Sequence, residues 1–157
     1  MLHRDSTALI LIDIQGKLAC LMHEREHLYA SLRVLIRGAQ GLQLPLLWLE
    51  QYPRGLGPTI PQVAELLPGL TPLAKTCFSA WRAPAFAARL RRTRCRQLLL
   101  AGIETHVCVY QTALDLLAAG YHVEVVADAV SSRTEPNRRL GIERMQAAGA
   151  GATTVEM

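Results

Sequence analysis

Apolar residues along the chain fall into short unbroken runs, and the stretches between them carry helical spacing. Ala8–Asp13 (ALILID) and Pro45–Glu50 (PLLWLE) are nearly continuous apolar runs, the pattern of strands covered on both faces. Gln97–Ala101 (QLLLA) and His122–Ala127 repeat that pattern, and Pro72–Lys75 and Ala152–Val155 predict shorter strands. Between these runs, Leu28, Leu32, Leu35, Ile36 and Ala39 recur on one helical face, predicting a helix over Leu28–Ala39. Further helices are predicted over Pro61–Leu67, over Pro84–Leu90 with proline in the first turn, over Thr105–Ala119 stopped by Gly120, and over Pro136–Ala148 stopped by Gly149. Tyr52–Pro61 is too rich in proline and glycine to extend a strand and reads as a ligand-type loop.

Alternating strands and helices, with the strands buried on both faces, predict an α/β domain built on a parallel sheet with helices on either side. No repeat, low-complexity tract or linker interrupts the pattern, so residues 1–157 read as a single domain. In such sheets the ligand site lies at the carboxyl ends of the strands, where strand order reverses. Three residues answer that description. Asp13 terminates the first strand, Lys75 closes the short third one, and Cys108 follows the fourth within GIETHVC. A thiol in the first turn of a helix is favoured as its thiolate, a carboxylate can take its proton, and a lysine can stabilise the anions formed. Backbone N–H groups at the same helix start are free to bind a developing oxyanion. These are the parts of a covalent acyl-transfer site.

Composition narrows the class. Apolar residues make up 50% of the 157 and charged residues only 19%, which excludes general disorder. Seventeen Lys and Arg against thirteen Asp and Glu leave a formal charge of +4, too small an excess to mark a nucleic-acid-binding protein. The longest apolar stretches, Ala8–Ile12 and Pro45–Leu49, fall far short of the roughly 20 residues that span a bilayer, and no apolar region follows a basic start. Cys20, Cys77, Cys95 and Cys108 are scattered with no CxxC pair, as expected of reduced thiols in a cytoplasmic protein. Arg89, Arg91, Arg92, Arg94 and Arg96 form one dense basic segment. With no aromatic or glycine-rich motif interleaved, it reads as a solvated helix end rather than a nucleic-acid site.

The segments LILIDIQ around Asp13, LEQYPRGLGPT from Leu49, KTCFSAW from Lys75, AGIETHVCVYQTALDL from Ala101 and VVADAVSSR from Val125 carry a family resemblance. The chain resembles the isochorismatase-like cysteine hydrolases, and EQYPRGLGPT is similar to the metal-free branch that includes isochorismatase-domain-containing proteins. The resemblance implies a three-layer α/β/α sandwich with a six-stranded parallel sheet, and a catalytic triad carried by Asp13, Lys75 and Cys108. It further implies a cis peptide just before Glu104, an oxyanion hole from the backbone N–H groups of Glu104 and Cys108, and a homo-oligomer. Relatives often add a carboxyl-terminal helix beyond the last strand. The expected activity is hydrolysis of a C–N bond in a small molecule through a thioester, with no cofactor. Alternatives are a non-catalytic scaffold and an isochorismatase-type vinyl ether hydrolase, although the latter typically lacks the cysteine.

The remaining features refine these expectations. Nicotinamidases of the superfamily carry an Asp/His metal cluster after the second strand, whereas no histidine lies between Glu50 and Lys75, so no metal is expected. A nucleotide-binding reading ranks last, because no GxGxxG follows Asp13 and no GxxxxGK[ST] occurs. Tyr52, Phe78 and Trp81 follow strands and are candidates for the pocket wall. Gln15 and Glu50 are expected to satisfy strand-end amides. His106, two residues before Cys108, does not face it on a helix and is expected to make a local hydrogen bond. Lys75→Met is expected to cripple turnover with the fold intact, and limiting iodoacetamide to label Cys108 before the other three cysteines.

Overall fold

Strand β1 (Thr7–Ile12) is buried at every position, and its alternation divides it between two cores. Ala8, Ile10 and Ile12 join one apolar cluster, and Leu9 and Leu11 join the other. Each leucine or isoleucine so buried contributes roughly 1.5–3 kcal/mol. In the computed structural model, which describes residues 1–157, five more strands flank β1. They are β2 (Leu46–Gln51), β3 (Leu73–Lys75), β4 (Gln97–Ile103), β5 (His122–Ser131) and β6 (Gly151–Thr153). The order is β3-β2-β1-β4-β5-β6 and every pairing is parallel.

Helices cover both faces. Phe86 and Leu90 of α5 (Pro84–Thr93), Ala113 and Leu116 of α6 (Tyr110–Ala118) and Met145 of α7 (Glu135–Ala147) pack on one side. Ala19 of α1 (Gly16–Cys20) and Leu28, Leu32, Ile36 and Ala39 of α2 (Arg25–Gly41) pack on the other, with Val63 of α4 (Pro61–Ala64). The result is the expected three-layer α/β/α sandwich on a six-stranded parallel sheet. No helix is long and apolar enough to cross a membrane.

Element boundaries differ in ways that bear on function. The expected loop Tyr52–Pro61 contains one helical turn, α3 (Pro53–Leu56), started by a proline. The helix expected from Thr105 begins instead as a π-helical turn, Thr105–Val109, and becomes α-helical at Tyr110. Strand β5 runs past Ala127 to Ser131, with its register against β4 shifting between Leu100 and Gly102.

Strand order reverses between β1 and β4, so their carboxyl ends frame the switch point. Gly102 stands opposite Ile12 there with φ 137, and a Cβ on it would lie 2.1 Å from the Ile12 carbonyl oxygen. Only glycine permits this approach.

Candidate active site

Asp13 follows β1 in the left-handed region, with φ 57, and its N–H donates to the Leu49 carbonyl at 3.2 Å. Aspartate is among the few non-glycine residues that enter this region routinely. The turn leaves its side chain only 4% exposed at the switch point. Lys75 ends β3, two strands away from β1, a gap of roughly 10 Å that a long side chain can bridge. Its Nζ donates to Asp13 Oδ2 at 2.6 Å, to Gln51 Oε1 at 2.7 Å, and to the carbonyls of Phe78 at 3.1 Å and Cys77 at 3.2 Å. The ammonium is fully buried, so these acceptors replace its lost water.

Cys108 lies buried in the π-helical turn after β4. Burial is the main force pushing its thiol up to about 12, the Asp13 charge adds to this, and Lys75 opposes it. Asp13 is likewise raised above the ordinary carboxylate range by burial, against the lowering effects of the Lys75 charge and hydrogen bond. Desolvation and the Asp13 charge thus oppose the ionisation that Lys75 and the helix start favour. Asp13 Oδ1 is buried without a geometrically sound hydrogen bond, and the Cys108 thiol lies near enough to the carboxylate to lower its proton affinity.

Glu104 precedes the π-helical turn with φ 55 and ψ 64. The peptide before it is trans, as are all others, rather than the cis bond implied by the resemblance. Its side chain is buried and tied down, with Oε1 accepting from Arg133 Nε at 2.7 Å. His106 Nδ1 lies 3.3 Å from Glu104 Oε2, too poorly aligned for a hydrogen bond, and 3.0 Å from Ser132 Oγ. His106 thus engages its local surroundings rather than forming a dyad with Cys108.

Gln15 and Glu50 serve the backbone as expected. Gln15 Nε2 donates to the carbonyls of Gln51 and Gly57 at 3.0 and 2.7 Å, and Glu50 Oε1 accepts from the Thr59 N–H at 2.7 Å. Gln51 was missed, although it stands at the carboxyl end of β2 and the rule that found Asp13 and Lys75 would have found it. Tyr52 and Phe78 are half exposed, at 54% and 53%. Tyr52 and Lys75 both line a cavity of about 550 Å³ together with Arg54, Cys77 and Arg82. A larger open cavity of about 760 Å³, by Cys20 and His27, holds none of the three residues at the switch point. The Trp81 ring packs edge-on to Tyr121 at 5.5 Å, lies beneath the Arg91 guanidinium, and lines a different cavity from that of Lys75. No three His, Cys, Asp or Glu side chains group closely enough to hold a metal ion.

A doubly wound parallel sheet with a buried Asp–Lys pair and a cysteine at its switch point defines an isochorismatase-type hydrolase fold. Residues 7–157 match the family model described as the isochorismatase domain, and the chain belongs to that family. Isochorismatase domain-containing protein 2 of Bos taurus is 41% identical over 152 residues, covering 96% of this chain and 72% of its own length. The MAR1 ribonuclease of Caenorhabditis elegans superposes with a TM-score of 0.91 at 40% identity, covering 99% of this chain and 80% of that one. YcaC is represented twice. The Escherichia coli protein, an octameric hydrolase of unknown specificity, gives a TM-score of 0.92 at 29% identity, over 98% of this chain and 77% of that one. The Pseudomonas aeruginosa protein, solved with hexane-2,5-diol and covalent acrylamide, gives 0.93 at 28% identity, over 99% and 79%.

Proposed function

We propose that this chain is a metal-independent cysteine hydrolase that cleaves the C–N bond of a small amide-type substrate through a thioester on Cys108. The observation that carries the reading is the division of Asp13. Lys75 holds Oδ2 at 2.6 Å, while Oδ1 is buried without a hydrogen bond and the carboxylate interacts with a thiol that burial pushes up to about 12. Passing the thiol proton to Oδ1 changes no net charge, so a neutral acid and a thiolate replace a carboxylate and a thiol beside the fixed ammonium. The raised proton affinity of Asp13 favours that transfer.

The thiolate then attacks the carbonyl carbon, and the oxygen takes up the electron pair as an oxyanion. The backbone N–H groups of Glu104 and Cys108 receive that charge. Collapse breaks the C–N bond, and the leaving amine takes the proton from Asp13. Water, giving a proton back to Asp13, attacks the thioester; the acid departs and the thiol is restored. Amide and water become acid and amine. Lys75 is a positioning residue that fixes Asp13, and Tyr52 and Phe78 border the entrance. The octameric relative supports a homo-oligomeric assembly, and the scattered free thiols support a cytoplasmic setting.

Acrylamide, held covalently in the Pseudomonas relative, adds to thiols at its alkene carbon with the C–N bond intact, so it probes the reactivity of Cys108, while acyl transfer is read from amine release. A panel of small amides and acyl compounds is assayed for amine release, with mass mapping of adducts on wild type and Cys108→Ala. The expected outcome is turnover of at least one amide, a Cys108 adduct, and loss of both in the variant. Amine release that survives in Cys108→Ala would overturn the thioester mechanism. No turnover and no adduct across the panel would favour a scaffold.

A further inference from the structure

The densest uncompensated charge outside the site lies on α5 and the turn into β4. Arg89, Arg91, Arg92, Arg94 and Arg96 make no ion pair; the arginines that do are Arg4, Arg25, Arg82, Arg133 and Arg139. The linear sequence places no aromatic residue among them, but the fold supplies two. Trp81 and Tyr121, from distant parts of the chain, meet edge to face at 5.5 Å. The Arg91 guanidinium lies 4.9 Å over the Trp81 ring and that of Arg96 lies 5.7 Å over Tyr121. These rings, with Arg94 and the buried Cys95, line a cavity of about 370 Å³, within the size range of small-ligand sites.

The arrangement is organised before any ligand arrives. Arg94 caps α5 in the left-handed region, φ 60, a position that glycine would fill without steric cost. Arg96 is pinned through its backbone, its N–H donating to Ser6 and its carbonyl accepting from His122, both at 2.9 Å. A guanidinium resting on an aromatic face keeps its N–H edges free, and those edges match phosphate oxygens in bidentate pairs. Three arginines lining one cavity carry more charge than one carboxylate can satisfy. The rings themselves are taken up by each other and by the arginines, which leaves no platform on which a base could stack.

We propose that this cavity binds a polyphosphate group, whether inorganic or carried by a free nucleotide. The test is calorimetric titration of the full chain with inorganic tripolyphosphate and with ATP, metal-free and at low salt, with tryptophan emission followed in parallel. Trp81 reports on the cavity, while Trp48 is buried elsewhere with its indole N–H bonded to Thr59. Tripolyphosphate is expected to bind and to shift the emission. Equal affinity for ATP assigns the interaction to the phosphate chain alone, and tighter binding of ATP names nucleotides as the source. The double variant Arg91→Gln/Arg96→Gln is expected to lose about tenfold or more in affinity. The control Arg33→Gln/Arg37→Gln removes the same charge from exposed positions on α2 and is expected to stay within about twofold. Equal losses in the two double variants would reduce the effect to general charge and overturn the proposal. So would an absence of tripolyphosphate binding at millimolar concentration, or binding of a single-stranded oligonucleotide without binding of tripolyphosphate.

Discussion

Replacing Lys75 by methionine preserves side-chain length while removing the charge and the hydrogen bonds that Nζ shares among four acceptors. The partner left behind, Asp13, is 4% exposed and the lysine itself 0%. Removing one member of a buried pair costs about 3–5 kcal/mol, because the other charge remains desolvated. At about 2–4 °C per kcal/mol for a chain of this size, Tm is expected to fall by roughly 6–20 °C near neutral pH. The pH dependence has a definite sign. Asp13 is raised by burial even with Lys75 present, and it rises further without it. A folded carboxyl pKa above the unfolded value means that the folded state binds more protons in the window between them. Stability therefore declines as pH climbs from about 4 toward the folded pKa. The deficit of Lys75→Met relative to wild type is expected to be largest at neutral pH and to shrink toward about pH 4–5. Thermal melts across a pH series, followed by circular dichroism, measure it. The double variant Asp13→Asn/Lys75→Met, which leaves no orphaned charge, is expected to melt above the single variant. Turnover of Lys75→Met, assayed below its melting range, is expected to be crippled. Melting within about 2 °C of wild type with a flat pH difference would refute the buried-pair argument. The expectation of a fold left intact gives way to the observed burial of the Lys75 ammonium.

Brief alkylation near neutral pH is expected to label the exposed Cys20 first, with Cys108 reacting slowly and accelerating as pH rises toward about 12. Peptide mapping that finds Cys108 labelled first would refute the desolvated thiol. Exhaustive chelation is expected to leave hydrolase activity intact, since no cluster of metal-ligating side chains exists; loss restored by zinc or iron would refute it. Gly102→Ala drives a Cβ into the Ile12 carbonyl and is expected to cost about 2–4 kcal/mol, read as a lower Tm and poor soluble yield. A variant as stable as wild type would show that the two strands do not approach so closely.

Much of the architecture was legible because burial on both faces leaves a local mark. The unbroken runs ALILID and PLLWLE need no partner to be recognised as central strands, and each polar residue that ends such a run marks a carboxyl edge. Asp13 and Lys75 were found in this way, and Gln51 could have been. Boundaries were less legible where tertiary packing overrides local preference. The π-helical turn at Thr105–Val109 and the extension of β5 to Ser131 have no signature in residue spacing.

Spacing along the chain was enough to settle strand and helix identity, the parallel sheet and the edge at which polar residues collect, because hydrophobic periodicity is a local property. The state of those residues was settled only in three dimensions. Whether Cys108 ionises depends on how much water the folded chain removes from it, and burial is the largest of the influences that raise its pKa. Trp81 looked like a pocket wall from its place after β3, yet its ring turns to Tyr121 and Arg91. The arginine segment likewise acquired Tyr121 only when the pairing of β5 with β4 set that ring beside Arg96. Charge and solvation are sums over neighbours in space, and most of those neighbours are remote in sequence.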